Sequence, residues 1–338
     1  MPRQLAVKLT FALLLGSLSL SLPAPAQKHA SRAEKERAAS LREVIWHDPG
    51  DVSKLNLFYG AGGRRDEPDL KGHFMFLKED LSGTNPKFDV EDDLGRKWRV
   101  KLGHESRPET AATHLLWAAG YFVDEDYFVP KLKVHGLPKL RRGEKLVSDD
   151  GTVRDARLEL RRKDVRKLGQ WSWFQNSFEE SRQLNGLRVM MCLIDDWDLK
   201  ADNNSVYEVG GEREYAVTDL GASFGKTGNY FTRSKGVVAD YERAEFVERV
   251  ASDRVDFVMH SRPFFLSFLN VPKYRERTRM EKIGEDIPVA DAEWIGRLLN
   301  RLSAGQLHDC FRAAGYDSET ADRYTEALQK RIAELNEL

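Results

Sequence analysis

Cysteine is nearly absent: Cys192 and Cys310 are the only two in 338 residues. So few thiols exclude a small disulfide-stapled scaffold and leave a single bridge, Cys192 to Cys310, that an oxidising compartment could form. Cys192 also lies in an apolar helical pattern, where a free thiol behaves as a small core hydrophobe. Charge of one sign is not in excess, with 53 Lys and Arg against 54 Asp and Glu. Nothing in that balance marks a nucleic-acid binder. Long apolar runs are missing too: the stretch from Leu9 to Leu22 falls short of the roughly 20 residues a spanning helix needs, and no later stretch is long enough. Aromatic residues, by contrast, are plentiful at 10 % with seven tryptophans, which indicates a packed core and not a disordered chain.

The start of the chain reads as an address. Arg3 and Lys8 precede the Leu9–Leu22 run, and Ala24-Pro25-Ala26 is a small-x-small cleavage site. We therefore expect a cleavable signal peptide over 1–26, cut after Ala26, and an exported protein, periplasmic or extracellular. No cysteine follows the run, which argues against a lipoprotein anchor. What remains exceeds the roughly 250–300 residues at which single cores stop growing, so two lobes are expected.

Residues 27–46 are charged with a thin Ala, Leu and Ile seam at helical spacing and read as an exposed helical extension. Gly60-Ala61-Gly62-Gly63, followed by Arg64 and Arg65, is either a phosphate cradle or a surface loop. From Lys71 to Gly103 three segments alternate at period two between Gly, Pro, Asn and Asp breaks, which predicts an antiparallel meander. On the last segment Trp98 and Val100 alternate with Arg99 and Lys101, placing Lys101 away from the Trp98 face. A helix follows, with Pro108 in its first turn, Ala111, Ala112, Leu115, Leu116 and Ala119 on one side, and Gly120 at its end. Glu109 in that first turn is either a macrodipole partner worth roughly 0.3–1 kcal/mol or an ion-pair partner of Lys101. Two further strands are expected at 128–135 and 156–162. The basic stretches 139–145 and 161–167 flank a lobe junction, as a solvated rim or as a surface that meets an anionic substrate.

Leu184, Leu187, Met191 and Ile194 then mark a buried helix whose end delivers WDLKADNN, and a hairpin around Gly210-Gly211 carries TDLG back beside it. Helices are expected from Phe246 to the C-terminus, beginning with FVERVASDRVDFVMH. Asp198, Lys200 and Asn203, with Asp219 later, are the groups magnesium-assisted phosphoryl transfer requires: a carboxylate for the hydroxyl proton, an amine for migrating charge, and an amide and carboxylate for metal.

Set in order along the chain, Lys101, Glu109, WDLKADNN and TDLG resemble the protein-kinase-like superfamily. The nearer likeness is to its atypical branch of HipA-type and phosphatidylinositol kinases, where a lysine strand runs into E-x-x-x-x-x-L-x-x-A-x-G, here Glu109, Leu115, Ala118 and Gly120. The resemblance implies an α+β, bilobal fold: a small antiparallel N-lobe with one helix over 47–168 and a larger, mainly helical C-lobe over 169–338. It implies ATP and Mg2+ as cofactors, Lys101 on the nucleotide phosphates, Glu109 positioning it, Asp198 as base, Lys200 as stabiliser, and Asn203 and Asp219 as metal ligands. The chain departs from the pattern in lacking an H-R-D triplet and a full G-x-G-x-x-G between the first two strands, where Ser82-Gly83-Thr84-Asn85 is the only candidate lid. Asp195, Asp196 and Asp202 remain alternative bases or ligands, and Asn204 an alternative to Asn203. Three functions stay open: an exported phosphotransferase acting on a protein, lipid head group or sugar; an inactive pseudokinase scaffold; and a metal-dependent hydrolase or calcium-stabilised protein built on the acidic loop. The acceptor is not named by any motif.

Overall fold

The computed structural model describes residues 40–228, 233–260 and 270–338, apart from the side chain of Lys273. The leader and most of the extension therefore lie outside the described residues. Among the described residues, no helix is long and apolar enough to cross a membrane.

Among the described residues, twelve strands and seven α-helices alternate in an α+β arrangement in which Leu41–Leu338 form one unit. The strands are β1 (Arg42–Val44), β2 (Phe74–Asp80), β3 (Lys87–Asp92), β4 (Lys97–Leu102), β5 (Asp126–Lys133) and β6 (Thr152–Arg161), then β7 (Arg166–Gly169), β8 (Asn204–Val209), β9 (Glu212–Val217), β10 (Val247–Ala251), β11 (Arg254–Phe257) and β12 (Ile287–Pro288). The helices are α1 (Ser106–Ala118), α2 (Arg182–Leu193), α3 (Val238–Tyr241), α4 (Val271–Glu281), α5 (Val289–Leu299), α6 (Ala304–Ala313) and α7 (Ser318–Asn336).

The first half builds a five-stranded antiparallel sheet in the order β2-β3-β4-β6-β5. Its pleat separates two kinds of side chain. Phe88, Val90, Trp98, Val100, Tyr127 and Leu158 are buried together on one face. The opposite face carries Lys87, Lys101 and Arg157 in one cross-strand row, and Asp89, Arg99, Glu159 and Asp126 in the next. That charged face is closed by the start of α1 and by the second half of the chain.

Helix α1 does not belong to the sheet's apolar core. Ala111, Ala112, Leu115 and Leu116 join the larger core with α2 and the C-terminal helices, and α1 packs against α6. The helix ends at Gly120, whose φ is +89° and where a Cβ would lie 2.2 Å from the His47 carbonyl oxygen. Only glycine fits so close an approach in that conformation. Helix α2 starts from Ser181, whose side chain accepts a hydrogen bond from the Leu184 N–H.

Two expectations are corrected. Within 40–46, the described end of the supposed extension helix, Arg42–Val44 is a strand paired parallel with β9, where Val44 and Ile45 are buried. FVERVASDRVDFVMH forms the β10–β11 hairpin and not a helix. Phe246, Val255, Phe257 and Met259 are buried while Ser252 and Asp253 turn in solvent, so its apolar residues are packed at period two near the end of the segment. The boundary expected at 168/169 falls inside β7, which joins β1, β9 and β8 in a second, four-stranded sheet.

Candidate functional site

A cavity of about 570 Å3 lies between the charged face of the five-stranded sheet and the β8–β9 hairpin. Ser82, Gly83 and Thr84, Lys101 and Glu109, Asp198 and Lys200, and Asn203 and Asp219 all line it. Residues up to 137 positions apart, from Ser82 to Asp219, are thus brought together.

Lys101 is the centre. It is 4 % exposed, and its Nζ lies 2.8 Å from carboxylate oxygens of Glu105, Glu109 and Asp219. Burial works against the ammonium charge, but the three carboxylates overcome it and raise its pKa above the ordinary lysine value. Against burial, Lys101 in turn holds Asp219 and Glu105 below the usual carboxylate range, helped by Arg157 at Asp219 and by Lys235 at Glu105. Glu109, fully enclosed, is pushed up by burial and pulled back by Arg157 and Lys101. Arg157 donates 2.9 Å bonds to Glu109 and Asp126 through one nitrogen and to Glu159 through the other. It pins Glu109 from the adjacent strand while α1 pins it from the larger core.

The loop between β2 and β3 arches over this cluster. The Asp80 carboxylate accepts the Ser82 N–H at 2.8 Å, Gly83 takes a φ of +66°, and the Asn85 amide bonds the Glu105 carboxylate. Gly221 of TDLG faces the same group: a Cβ there would lie 2.6 Å from Glu105 Cβ. A close packing requirement therefore explains this glycine.

The acidic loop sorts its carboxylates. Asp195, at φ +55°, is buried and bonded at 2.9 Å to Arg331 of α7; burial raises its pKa to about 6 although Arg331 opposes the rise. Asp196 accepts the Asp198 N–H at 2.9 Å, and burial raises its pKa to about 7. Neither lines the cavity, which leaves Asp198, with exposed Asp202 beside it. Asp198 lies 2.8 Å from both Arg277 and Lys200, which hold its pKa low against burial. The Asn203 amide N–H donates to the Asp198 carbonyl at 2.6 Å, and its side-chain oxygen accepts no hydrogen bond among the described residues. Asn204 is buried and donates to the Trp171 carbonyl at 3.2 Å, a structural role.

Gly60–Gly63 is not part of the site. Cβ atoms at Gly60 and Gly62 would meet the His114 ring at 2.3 Å and the Tyr127 hydroxyl at 2.1 Å, so close packing accounts for them. Cys192 and Cys310 are both buried and free, so the possible bridge is not formed.

Sequence reasoning missed Glu105, Arg157 and Arg277. Glu105 had a usable signal, standing four residues after Lys101. Arg157 and Glu159 alternate with Ala156, Leu158 and Leu160 as on any half-solvated strand, and only tertiary packing, with Glu109 of α1 set against Arg157, buries them. Arg277 lies 79 positions beyond Asp198, with no pattern to announce it.

No protein-family model matches the sequence, and no curated protein matches it. Among solved structures, the chain is similar to the Helicobacter pylori proinflammatory kinase CtkA, at 11 % identity and a TM-score of 0.44, over 78 % of this chain and 96 % of that one. It is also similar to the Golgi casein kinase with Mn/ADP bound, at 10 % identity and a TM-score of 0.32, over 78 % and 74 %. A second structure of the Golgi casein kinase is similar at 10 % identity and a TM-score of 0.33, over 84 % and 78 %. Identity this low transfers no residue role, and the reading of the cleft rests on its own geometry.

Proposed function

We propose that the cleft binds a magnesium nucleoside triphosphate, ATP in the first instance, and transfers its γ-phosphoryl group to a hydroxyl of a protein, lipid head group or sugar outside the cytoplasm. The observation that carries this is the convergence of Lys101, Glu109, Asp198, Lys200, Asn203 and Asp219 on one cavity, with Lys101 Nζ 2.8 Å from both Glu109 and Asp219.

The donor set fits magnesium, which favours hard oxygen ligands. Asp219 receives Lys101 on Oδ1, and Asn203 uses its N–H on the Asp198 carbonyl, so Asp219 Oδ2 and Asn203 Oδ1 are the oxygens that would hold the ion. Held there, the ion would supply positive charge to neutralise the phosphates. Lys101 presents a fully charged ammonium to the phosphates, kept in place by Glu109. Ser82, Gly83 and Thr84 close over them. Asp198 accepts the acceptor hydroxyl's proton and Lys200 steadies the charge on the group in flight. A loose phosphoryl transition state asks for positioning and charge neutralisation of this kind.

One observation favours the scaffold reading. Lys200 and Arg277 both engage Asp198, and a carboxylate so paired is a weak base until a substrate draws one cation away. The acidic-loop hydrolase reading keeps Asp198, Asp202 and Asp219 at the cavity but loses two donors, because Asp195 and Asp196 are buried and bonded to Arg331 and the Asp198 N–H.

Thermal melting with Mg-ATP tests nucleotide binding: at a hundredfold excess over Kd the native state gains about 2.7 kcal/mol. Asp219→Asn should abolish that shift. Absence of a shift in the wild type overturns the proposal. Transfer of labelled phosphate, lost in Asp198→Ala, separates an enzyme from a scaffold that binds without turnover.

A further inference from the structure

A second cavity, of about 790 Å3, opens beside the connection between β4 and α1. Its cationic walls are Arg107 in the first turn of α1, Lys145 from the loop between β5 and β6, Arg154 of β6, and Lys235; Asp155 is the one acid among its lining. Two of these cations are already engaged. Arg107 donates to Asp155 at 2.9 Å and to the Gly315 carbonyl, lying over the rings of Phe128 and Tyr316. Lys235 bonds Glu105.

Lys145 and Arg154 are exposed and have no side-chain hydrogen bond or ion pair among the described residues. Most exposed arginines elsewhere do, as Arg162 does with Asp164 at 2.6 Å and Arg249 with Asp256 at 2.6 Å. With a whole-chain charge of −1, the excess is local and not compositional. Cations of one sign around one hollow raise its potential and attract anions. Leu146, Val147 and Val237 also line it. An isolated ion has no use for apolar walls, whereas a peptide carrying acidic and apolar side chains uses both kinds of contact.

We propose that this groove binds an acidic polypeptide segment with an apolar residue among its carboxylates. The proposal stands apart from the phosphotransfer reading, since it needs no nucleotide.

The test is fluorescence anisotropy on the full chain, using a short labelled peptide of Glu and Asp with a central Leu. Saturable binding is expected, weakened by salt and roughly tenfold weaker in the Lys145→Glu/Arg154→Glu double variant. A Lys282→Glu/Lys330→Glu variant, with the same change in net charge elsewhere, should bind as the wild type does. Unchanged melting temperatures keep the comparison clear of misfolding, because all four residues are exposed. Equal binding of a Lys-for-acid counterpart overturns the proposal, as does equal binding when Asn replaces the central Leu, or indifference to the double variant. Capture of anionic phospholipid vesicles without peptide binding overturns it as well.

Discussion

At the scale of single residues, Arg157 carries more of the site than its place in a strand suggests. It is 3 % exposed and compensates Glu109, Asp126 and Glu159 together. Removing one member of a buried charge network leaves the others uncompensated, at a cost of roughly 3–5 kcal/mol. Arg157→Met should lower stability by that amount in urea denaturation, whereas Arg243→Met, an exposed arginine paired to Asp240, should cost under about 1 kcal/mol. Asp196 gives a pH signature. Its pKa is raised to about 7 from an ordinary 3.8, so the native state holds a proton the unfolded chain has released. Its contribution therefore favours folding least above pH 7, and stability is lost progressively as pH rises from about 4 to about 7. Asp196→Asn should accordingly melt higher relative to the wild type at pH 8 than at pH 5. A melting difference that does not change with pH would mean the carboxyl titrates alike in both states.

At the scale of elements, α1 is the part that both halves share. Its first turn supplies Glu109 to Lys101, its body is packed in the larger core, and its end is fixed by the contact of Gly120 with the His47 carbonyl. Gly120→Ala combines an unfavourable positive φ with a backbone clash and should destabilise by roughly 2–4 kcal/mol in urea denaturation. The strand and helix pattern of this region was legible, since period-two alternation and the helical apolar repeat each describe an element whose environment is largely local. The β10–β11 segment was not, because its few apolar residues fit either period and the packing of Val255 and Phe257 decided between them.

At the scale of the whole molecule, the two thiols report on the core. Burial pushes Cys192 up to about 12 and Cys310 higher still, and both are free. Neither should react with a thiol reagent in the native protein at neutral pH, and both should be titrated once the chain is unfolded, without prior reductant. Titration of fewer than two thiols in unfolded, unreduced protein would show that the pair had joined.

The order of chemical groups along the chain was set by sequence alone. Strands with a lysine, a helix opening on a glutamate, an acidic loop and a second aspartate can be read without coordinates, because period, turn chemistry and spacing are local properties. Which of those acids faces the cleft was decided by the fold. Asp195 is turned inward to Arg331, 136 positions away, and Asp198 outward to Arg277, while Glu109 depends on Arg157 from another strand. Burial and charge pairing are set by whichever residue packs alongside, and for these groups that neighbour lies far off in the sequence.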